Sequence, residues 1–106
     1  MSFFGLFNKS NNSNDIMGML EEGAVILDVR SPGEYASGHI PGSRNIPLNQ
    51  LPNRISEVKN WGKPVVTCCL SGSRSAAAVS MLASQGIQCV NGGSWYGIKP
   101  KGSPTK

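Results

Sequence analysis

Three short, largely apolar runs, AVILDV at 24–29, PVVTC at 64–68 and IQCV at 87–90, limit what this chain can become. None shows the polar-apolar alternation of a strand with one wet face, and each is bounded by turn residues. Such runs are strands buried on both sides, which means a parallel sheet covered by helices. The segments between them carry helix signals. Asp15 caps a short helix, IMGMLEEG, that Gly23 stops. Ser31, Pro32 and Glu34 form a helix start of cap, proline and first-turn acid, for PGEYASG ending at Gly38. Residues 51–60 read as a helix with Ile55 and Val58 facing inward, and residues 75–85 as a helix stopped by Gly86. HIPGSRNIPL, with two prolines and a glycine, gives turns around a very short strand near 43–45. Strands alternating with helices give an α/β fold, a small, mostly parallel sheet with helices on both faces.

A chain of 106 residues is enough for one small domain with a single core. The domain is expected to span 15–98, closed by NGGSWYGI. Residues 1–14 are expected to be a flexible arm. They include the polar, low-complexity stretch NKSNNSN and an aromatic tip, Phe3, Phe4 and Phe7, suited to docking on the domain or a partner. KPKGSPTK, 99–106, reads as a basic, solvated tail.

The formal net charge of +4 favours anions near the surface but is too mild to indicate nucleic acid. No Lys/Arg cluster or aromatic stacking pattern adds to it. The three cysteines, Cys68, Cys69 and Cys89, are odd in number, and two are adjacent, unlike a disulfide framework. No zinc-type C-x-x-C pairing with partner ligands is present. MSFFGLFNK lacks the charged start and cleavage site of a signal peptide. No apolar run approaches the ~20 residues of a membrane span. A reducing compartment, the cytoplasm, is expected.

The chemistry concentrates in CCLSGSRS, 68–75, between the second apolar run and an alanine-rich helix. In parallel sheets ligands bind at the carboxyl ends of strands. Glycine and serines let the loop curl so that several N–H groups point inward, and a nest of N–H groups at a helix start holds anions. A cysteine at its base has its pKa lowered from ~8.5 toward ~3.5–7.5. Arg74 adds a permanent charge and a planar fork. The site suits a nucleophilic thiolate and a developing negative charge on its partner. That role requires the sulfur to be ionised near neutrality and open to water.

Three stretches, ILDVRSPGEYASGHIPGSRNIPL, PVVTCCLSGSRSAAAVSMLASQGI and NGGSWYGI, resemble a single-domain rhodanese, a thiosulfate sulfurtransferase-like protein, over roughly 15–98. The pattern D-V-R-x-x-x-E-Y-x-x-G-H-I-P-G-x-x-N-I-P is highly specific. C-L-S-G-S-R-S looks like the family's six-residue active-site loop, Cys69 through Arg74. The resemblance implies that Cys69 is the nucleophile. The resemblance further implies that it takes sulfur from a small anionic donor such as thiosulfate, becomes a persulfide, and passes the sulfur to cyanide, a thiol or a protein, with no metal or organic cofactor. Leu70, Ser71, Gly72, Ser73, Arg74 and Ser75 would hold the substrate, with Arg74 orienting an anionic donor and Arg30 bordering the pocket.

Two other readings stand beside it. Cys68-x5-Arg74 is the phosphate-loop spacing of cysteine phosphatases, and related phosphatases and arsenate reductases share the rhodanese fold with a loop one residue longer. They usually place His before the Cys, where this chain has Thr67. The third reading is a sulfur-carrier or interaction module without useful turnover. Cys68 is otherwise expected to end its strand and pack on the sheet, and Cys89 to lie in the core. Asp28 is expected to be structural, His39 to hold a turn by hydrogen bonds, Arg44 to be solvated, and Trp95 to pack the closing turn against the core. The short segment after Gly92-Gly93 leaves room for one helical turn.

Overall fold

The computed structural model describes residues 13–98. The aromatic tip and most of the expected arm, with the basic tail, lie outside the described residues. In chain order the elements are α1 (Ser13–Glu21), β1 (Val25–Asp28), α2 (Pro32–Ala36), β2 (Arg44–Asn45), a 3-10 helix (Leu48–Asn53), α3 (Ile55–Asn60), β3 (Val65–Cys69), α4 (Ser73–Ser84), β4 (Cys89–Ser94) and a closing 3-10 turn (Trp95–Gly97).

The four strands form one sheet in the order β2-β1-β3-β4, and all three pairings are parallel. β1 runs outward to β2 on one side, and β3 to β4 on the other. The crevice between the carboxyl ends of β1 and β3 is therefore the point where strand order reverses, the usual place for a ligand in such sheets.

Strand parity divides the core in two. Leu27, Val29, Val65, Cys69 and Cys89 pack on one face with Leu51, Val58, Ala78 and Leu82. Ile26, Val66 and Cys68 pack on the other with Ile40 and Ile98, covered by Ile16, Met19, Leu20 and Trp95. Helices thus cover both faces, as expected. On α4 the buried residues Ser75, Ala78 and Leu82 follow helical spacing and turn one stripe to the sheet.

Local chemistry explains the ends of the elements. At α2, the Ser31 hydroxyl accepts from Glu34 N at 3.3 Å and Glu34 Oε1 accepts from Ser31 N at 3.0 Å, a complete capping box. At α1, Gly23 takes φ +99°, Gly23 N donates to Leu20 O, and Ala24 N donates to Met19 O. This is the Schellman stop that the glycine signalled.

Several boundaries differ from expectation. The first helix begins at Ser13, so Asp15 lies inside it and not at its cap. The helix expected over 51–60 is two pieces, parted at Arg54, whose φ of −126° and ψ of 17° are not helical; Leu51 is buried from the 3-10 piece and Val58 from α3. β3 runs one residue further, so Cys69 and not Cys68 is its last residue. α4 starts at Ser73, placing Arg74 in its first turn. β4 continues through NGGS. The segment after it is a single 3-10 turn, as its length suggested.

Candidate active site

Because β3 extends through Cys69, parity decides which thiol meets the loop. Cys69 points to the α4 face and Cys68 to the opposite one. The loop is then only Leu70, Ser71 and Gly72. Gly72 caps α4 with φ +104°, a backbone region that a side chain would strain, and this turn aims the chain's N–H groups back at the sulfur. Gly72 N donates to Cys69 Sγ at 3.0 Å and Ser75 N at 3.4 Å. Burial pushes the Cys69 thiol up. The N–H and hydroxyl of Ser75, with the N–H groups of Gly72 and Ser71, outweigh it, and the thiol falls below its ordinary value.

The amides that hold the sulfur are thus fewer than the stretch 70–75 suggested. Leu70, Ser73 and Arg74 make no hydrogen bond to it. The expectation of a sulfur open to water is corrected: Cys69 is only 1% exposed, because its side chain turns inward under the loop. The rim is open instead. Ser71 and Ser73 are exposed and Leu70 is 53% exposed.

A second layer holds the loop from below. The Ser75 hydroxyl lies 2.6 Å from Asn91 Oδ1, 3.2 Å from Gly72 O and 3.7 Å from Cys69 Sγ. Asn91 Nδ2 donates to Gly72 O at 3.1 Å, and Gly93 N donates to Asn91 Oδ1 at 2.8 Å. The Ser75 hydroxyl has one proton, and the short contact gives it to Asn91 Oδ1. In the thiol form Cys69 can donate to the Ser75 oxygen; in the thiolate form the Ser75 proton can turn to the sulfur. Asn91 pairs with Thr67 in the regular register, and β4 bulges only beyond it, where Cys69 pairs with Ser94. Asn91 was not among the sequence candidates. Its signal was a polar residue two positions after Cys89, hence on the same sheet face, followed by two glycines.

Arg74 is held by a carboxylate and makes no hydrogen bond to the sulfur, although the Cys69 charge still helps to raise its pKa. Its Nη1 and Nη2 donate to Glu34 Oε1 and Oε2 at 2.8 and 3.0 Å, a fork-to-fork pair joining α4 to the cap of α2. The Arg74 guanidinium, helped by Ser31 N–H, holds the Glu34 carboxyl down at about 2. Beside Arg74 opens a groove of about 620 Å³ walled by Val29, Pro32, Pro47, Leu48 and Met81.

Arg30 is not brought to the loop either. It is 3% exposed, bonded through Nε and Nη2 to both Asp28 oxygens at 2.7 to 3.0 Å. Nη2 also donates to Gly38 O and Nη1 to Glu34 O, and the guanidinium lies 4.5 Å over the Trp95 ring. This is the structural ion pair, with Trp95 packed as expected, and it gives no support to Arg30 as a substrate contact. Cys68, on the same face, is wholly buried; burial, then the Asp28 charge, pushes its thiol up to about 12. Cys89 is buried and pushed up to about 11. His39 Nδ1 lies 2.8 Å from Tyr35 O, so it carries the proton and donates; the ring stacks on Tyr35 at 3.8 Å. Arg44 is exposed over the Trp61 ring, 4.8 Å from its centroid. Among the described residues, no three His, Cys, Asp or Glu gather in a metal-binding group, and no helix is long and apolar enough to cross a membrane.

The family model described as Rhodanese-like domain matches residues 13–97. The chain belongs to the rhodanese-like family. It is 44% identical over 63 residues to protein YqhL of Bacillus subtilis, covering 59% of this chain and 49% of that one. To the thiosulfate sulfurtransferase GlpE of Stutzerimonas stutzeri it is 38% identical over 69 residues, covering 65% and 62%. The matched stretch is thus less than two thirds of either relative. The crystal structure of a rhodanese-related protein from Thermoplasma volcanium superposes with a TM-score of 0.70 at 34% identity, covering 90% of this chain and 94% of that one. In this rhodanese-like frame the thiol under the loop amides is Cys69. Cys68, the first residue of the Cys68-x5-Arg74 spacing, points through the sheet to the opposite side.

Proposed function

We propose that the protein is a sulfurtransferase that carries sulfane sulfur on Cys69. The observation that carries this reading is the Cys69 sulfur at the end of β3, receiving Gly72 N–H and Ser75 N–H, with its pKa lowered in spite of burial. A thiolate so held is a nucleophile whose charge is stabilised by fixed dipoles. With thiosulfate, the Cys69 thiolate attacks the outer sulfur, the new Cys69 S–S bond forms, the S–S bond of the donor breaks, and sulfite leaves with its electron pair. The cysteine sulfur is oxidised to the persulfide level as the departing sulfonyl group is reduced to sulfite. An acceptor thiolate or cyanide then takes the outer sulfur and returns the thiolate. No proton need be supplied in either step. The relatives named thiosulfate sulfurtransferase support the reaction class.

Burial of Cys69 sets a condition: the rim of Leu70, Ser71 and Gly72 must yield for a donor to reach the sulfur. Arg74, clamped on Glu34, fixes the first turn of α4 and so the loop amides; it can touch an anionic donor directly only if Glu34 lets go. The same burial favours a second reading, a sulfur carrier loaded only by a partner protein. The phosphatase reading needs Cys68 under the loop, where its side chain does not lie. A free thiolate of this kind persists in a reducing compartment such as the cytoplasm.

The test is intact-protein mass spectrometry after incubation with thiosulfate. Wild type and Cys68→Ser should each gain one sulfur atom, and Cys69→Ser none. Sulfur that follows Cys68 would overturn the assignment. Sulfur on Cys69 only when a persulfidated protein is the donor would establish the carrier reading.

A further inference from the structure

Of the six Lys and Arg side chains on the described residues, four are engaged by a partner and two lie at the far end of β3 from Cys69. Arg74 is held by both oxygens of Glu34, and Arg30 is buried against Asp28. Arg54 pairs with Glu57, and Arg44 lies on Trp61. Lys59 and Lys63 precede Val65 and border a cleft at the amino end of β3, the far end of the strand from Cys69. The side chains of the loop itself are uncharged. Its one large side chain, Leu70, directly follows the nucleophile and stands 53% exposed, and the groove beside Arg74 is walled mostly by apolar side chains, with Ser31, Asn49, Gln50 and Arg74 as its polar part. An exposed leucine at a reactive rim offers apolar contact to whatever approaches. A dianion meets there backbone N–H groups, three of which already serve the thiolate, and the hydroxyls of Ser71 and Ser73, none of them charged.

Resting on the sulfurtransferase reading, we infer that this site selects sulfur donors with an apolar organic body and at most one negative charge, such as organic thiosulfonates and persulfides, over the thiosulfate dianion. The reacting bond is the same for either class. With an organic thiosulfonate the Cys69 thiolate takes the terminal sulfur, the bond from that sulfur to the sulfonyl group breaks, and a sulfinate leaves with the electron pair.

The experiment measures kcat/KM for three donors, thiosulfate, methanethiosulfonate and benzenethiosulfonate, with cyanide as acceptor. The two thiosulfonates share charge and reacting bond but lose different sulfinates, so their ratio is divided by the ratio of their rates with a small thiol in solution, which isolates the apolar body. Benzenethiosulfonate should exceed methanethiosulfonate by about tenfold, the effect of covering a patch the size of a few methylene groups. Leu70→Ser should collapse that ratio toward unity. Glu34→Gln keeps a capping-box residue at its position but frees Arg74 from its charged partner. It should raise kcat/KM for thiosulfate relative to benzenethiosulfonate by several-fold, and this gain should fade with added salt. A benzene-to-methane ratio that is near unity in wild type, or that survives Leu70→Ser, overturns the inference. So does a wild-type thiosulfate rate that falls steeply with salt. If no donor places sulfur on Cys69, the sulfurtransferase reading itself fails, an outcome that mass spectrometry separates from a mere change of preference.

Discussion

Cys68 and Cys69 are joined by one peptide bond and lie on opposite faces of the sheet, one against Asp28 and Arg30, the other beneath Gly72 and Ser75. One covalent neighbour therefore separates a thiol raised to about 12 from a thiol lowered by loop amides. Alkylation by iodoacetamide should reveal the difference. The Cys69 rate should rise through a midpoint below the ~8.5 of an ordinary cysteine. Its plateau should stay below that of an unhindered thiolate, because the residue is buried. Cys68→Ser should keep this profile and Cys69→Ser should abolish it; a midpoint at or above the ordinary value would remove the basis for a ready nucleophile.

The same contrast fixes how stability changes with pH. Cys68 and Cys89 have folded values of about 12 and 11, above that of an unfolded thiol. Their contribution is complete below the unfolded value and is lost as pH rises toward the folded ones, since the unfolded chain releases its protons first. Each can tilt the stability curve by up to ~1.4 kcal/mol per pH unit. Cys69, lowered, acts with the opposite sign: its contribution is present above the unfolded value and is lost as pH falls through the folded one. Urea midpoints measured from neutral to strongly alkaline pH should therefore fall above about pH 8.5. Cys68→Ala should flatten that fall; an unchanged slope would show that Cys68 ionises as readily in the folded chain as in the unfolded.

The parts of this fold that were legible in the sequence are those fixed within a few residues. The Ser31-Glu34 box, the Gly23 stop and the buried apolar runs are local, and the structure keeps them. The loop and its cysteine were legible because a strand, a glycine turn and a helix start are adjacent in the chain. The Arg74–Glu34 pair spans forty residues, and spacing alone gives Arg74 as a fork for an anionic donor with no sign of a carboxylate partner. The extension of β3 through Cys69 depends on its pairing with β4 at Ser94, which the chain order does not reveal. Burial of Cys69 follows from that extension, since one more residue in the strand turns its side chain under α4.

Gly92 is a sequence detail whose demand appears only in three dimensions. A Cβ there would stand 2.8 Å from Ile98 Cδ1, Thr67 O and Val66 Cγ1. Two of the three belong to the central strand, so they cannot simply swing away. Gly92→Ala should lower stability by about 1–3 kcal/mol through overpacking. Gly33, in α2, has nothing within 4 Å of the added carbon, and Gly33→Ala should be neutral or stabilising by up to ~1 kcal/mol. Chemical denaturation of the two variants compares them directly; equal midpoints would show that the β4 bulge relaxes freely.

The buried Asp28–Arg30 pair joins the end of β1 to the turn at Gly38 and to Trp95. Asp28→Ala would leave a buried guanidinium without its carboxylate, and should cost about 3–5 kcal/mol. Arg30→Met leaves the carboxylate unpaired and should cost about as much. The double variant should recover part of the loss, because no charge then remains buried alone. Thermal or urea unfolding of the cycle would show this as strong coupling, and additive losses would mean that the pair is not what fixes this corner.

Ser75 connects Cys69 to Asn91, and its substitution separates hydroxyl from amide. Ser75→Ala retains the N–H 3.4 Å from the sulfur and removes the hydroxyl 2.6 Å from Asn91 Oδ1. The thiolate loses one donor, so the Cys69 midpoint should move up toward the ordinary value and alkylation at neutral pH should slow. Asn91 Oδ1 still accepts from Gly93 N, so the stability loss should be only about 1 kcal/mol, that of one net hydrogen bond. Asn91→Ala removes the hold on Gly72 O and frees the amide that reaches the sulfur, so it should raise the same midpoint without touching the cysteine. The two substitutions share a contact and should be non-additive in the midpoint they report. If the double variant shifts by the full sum of the singles, Asn91 and Ser75 act on the thiol separately, and the clamp from β4 to the loop has no part in tuning it.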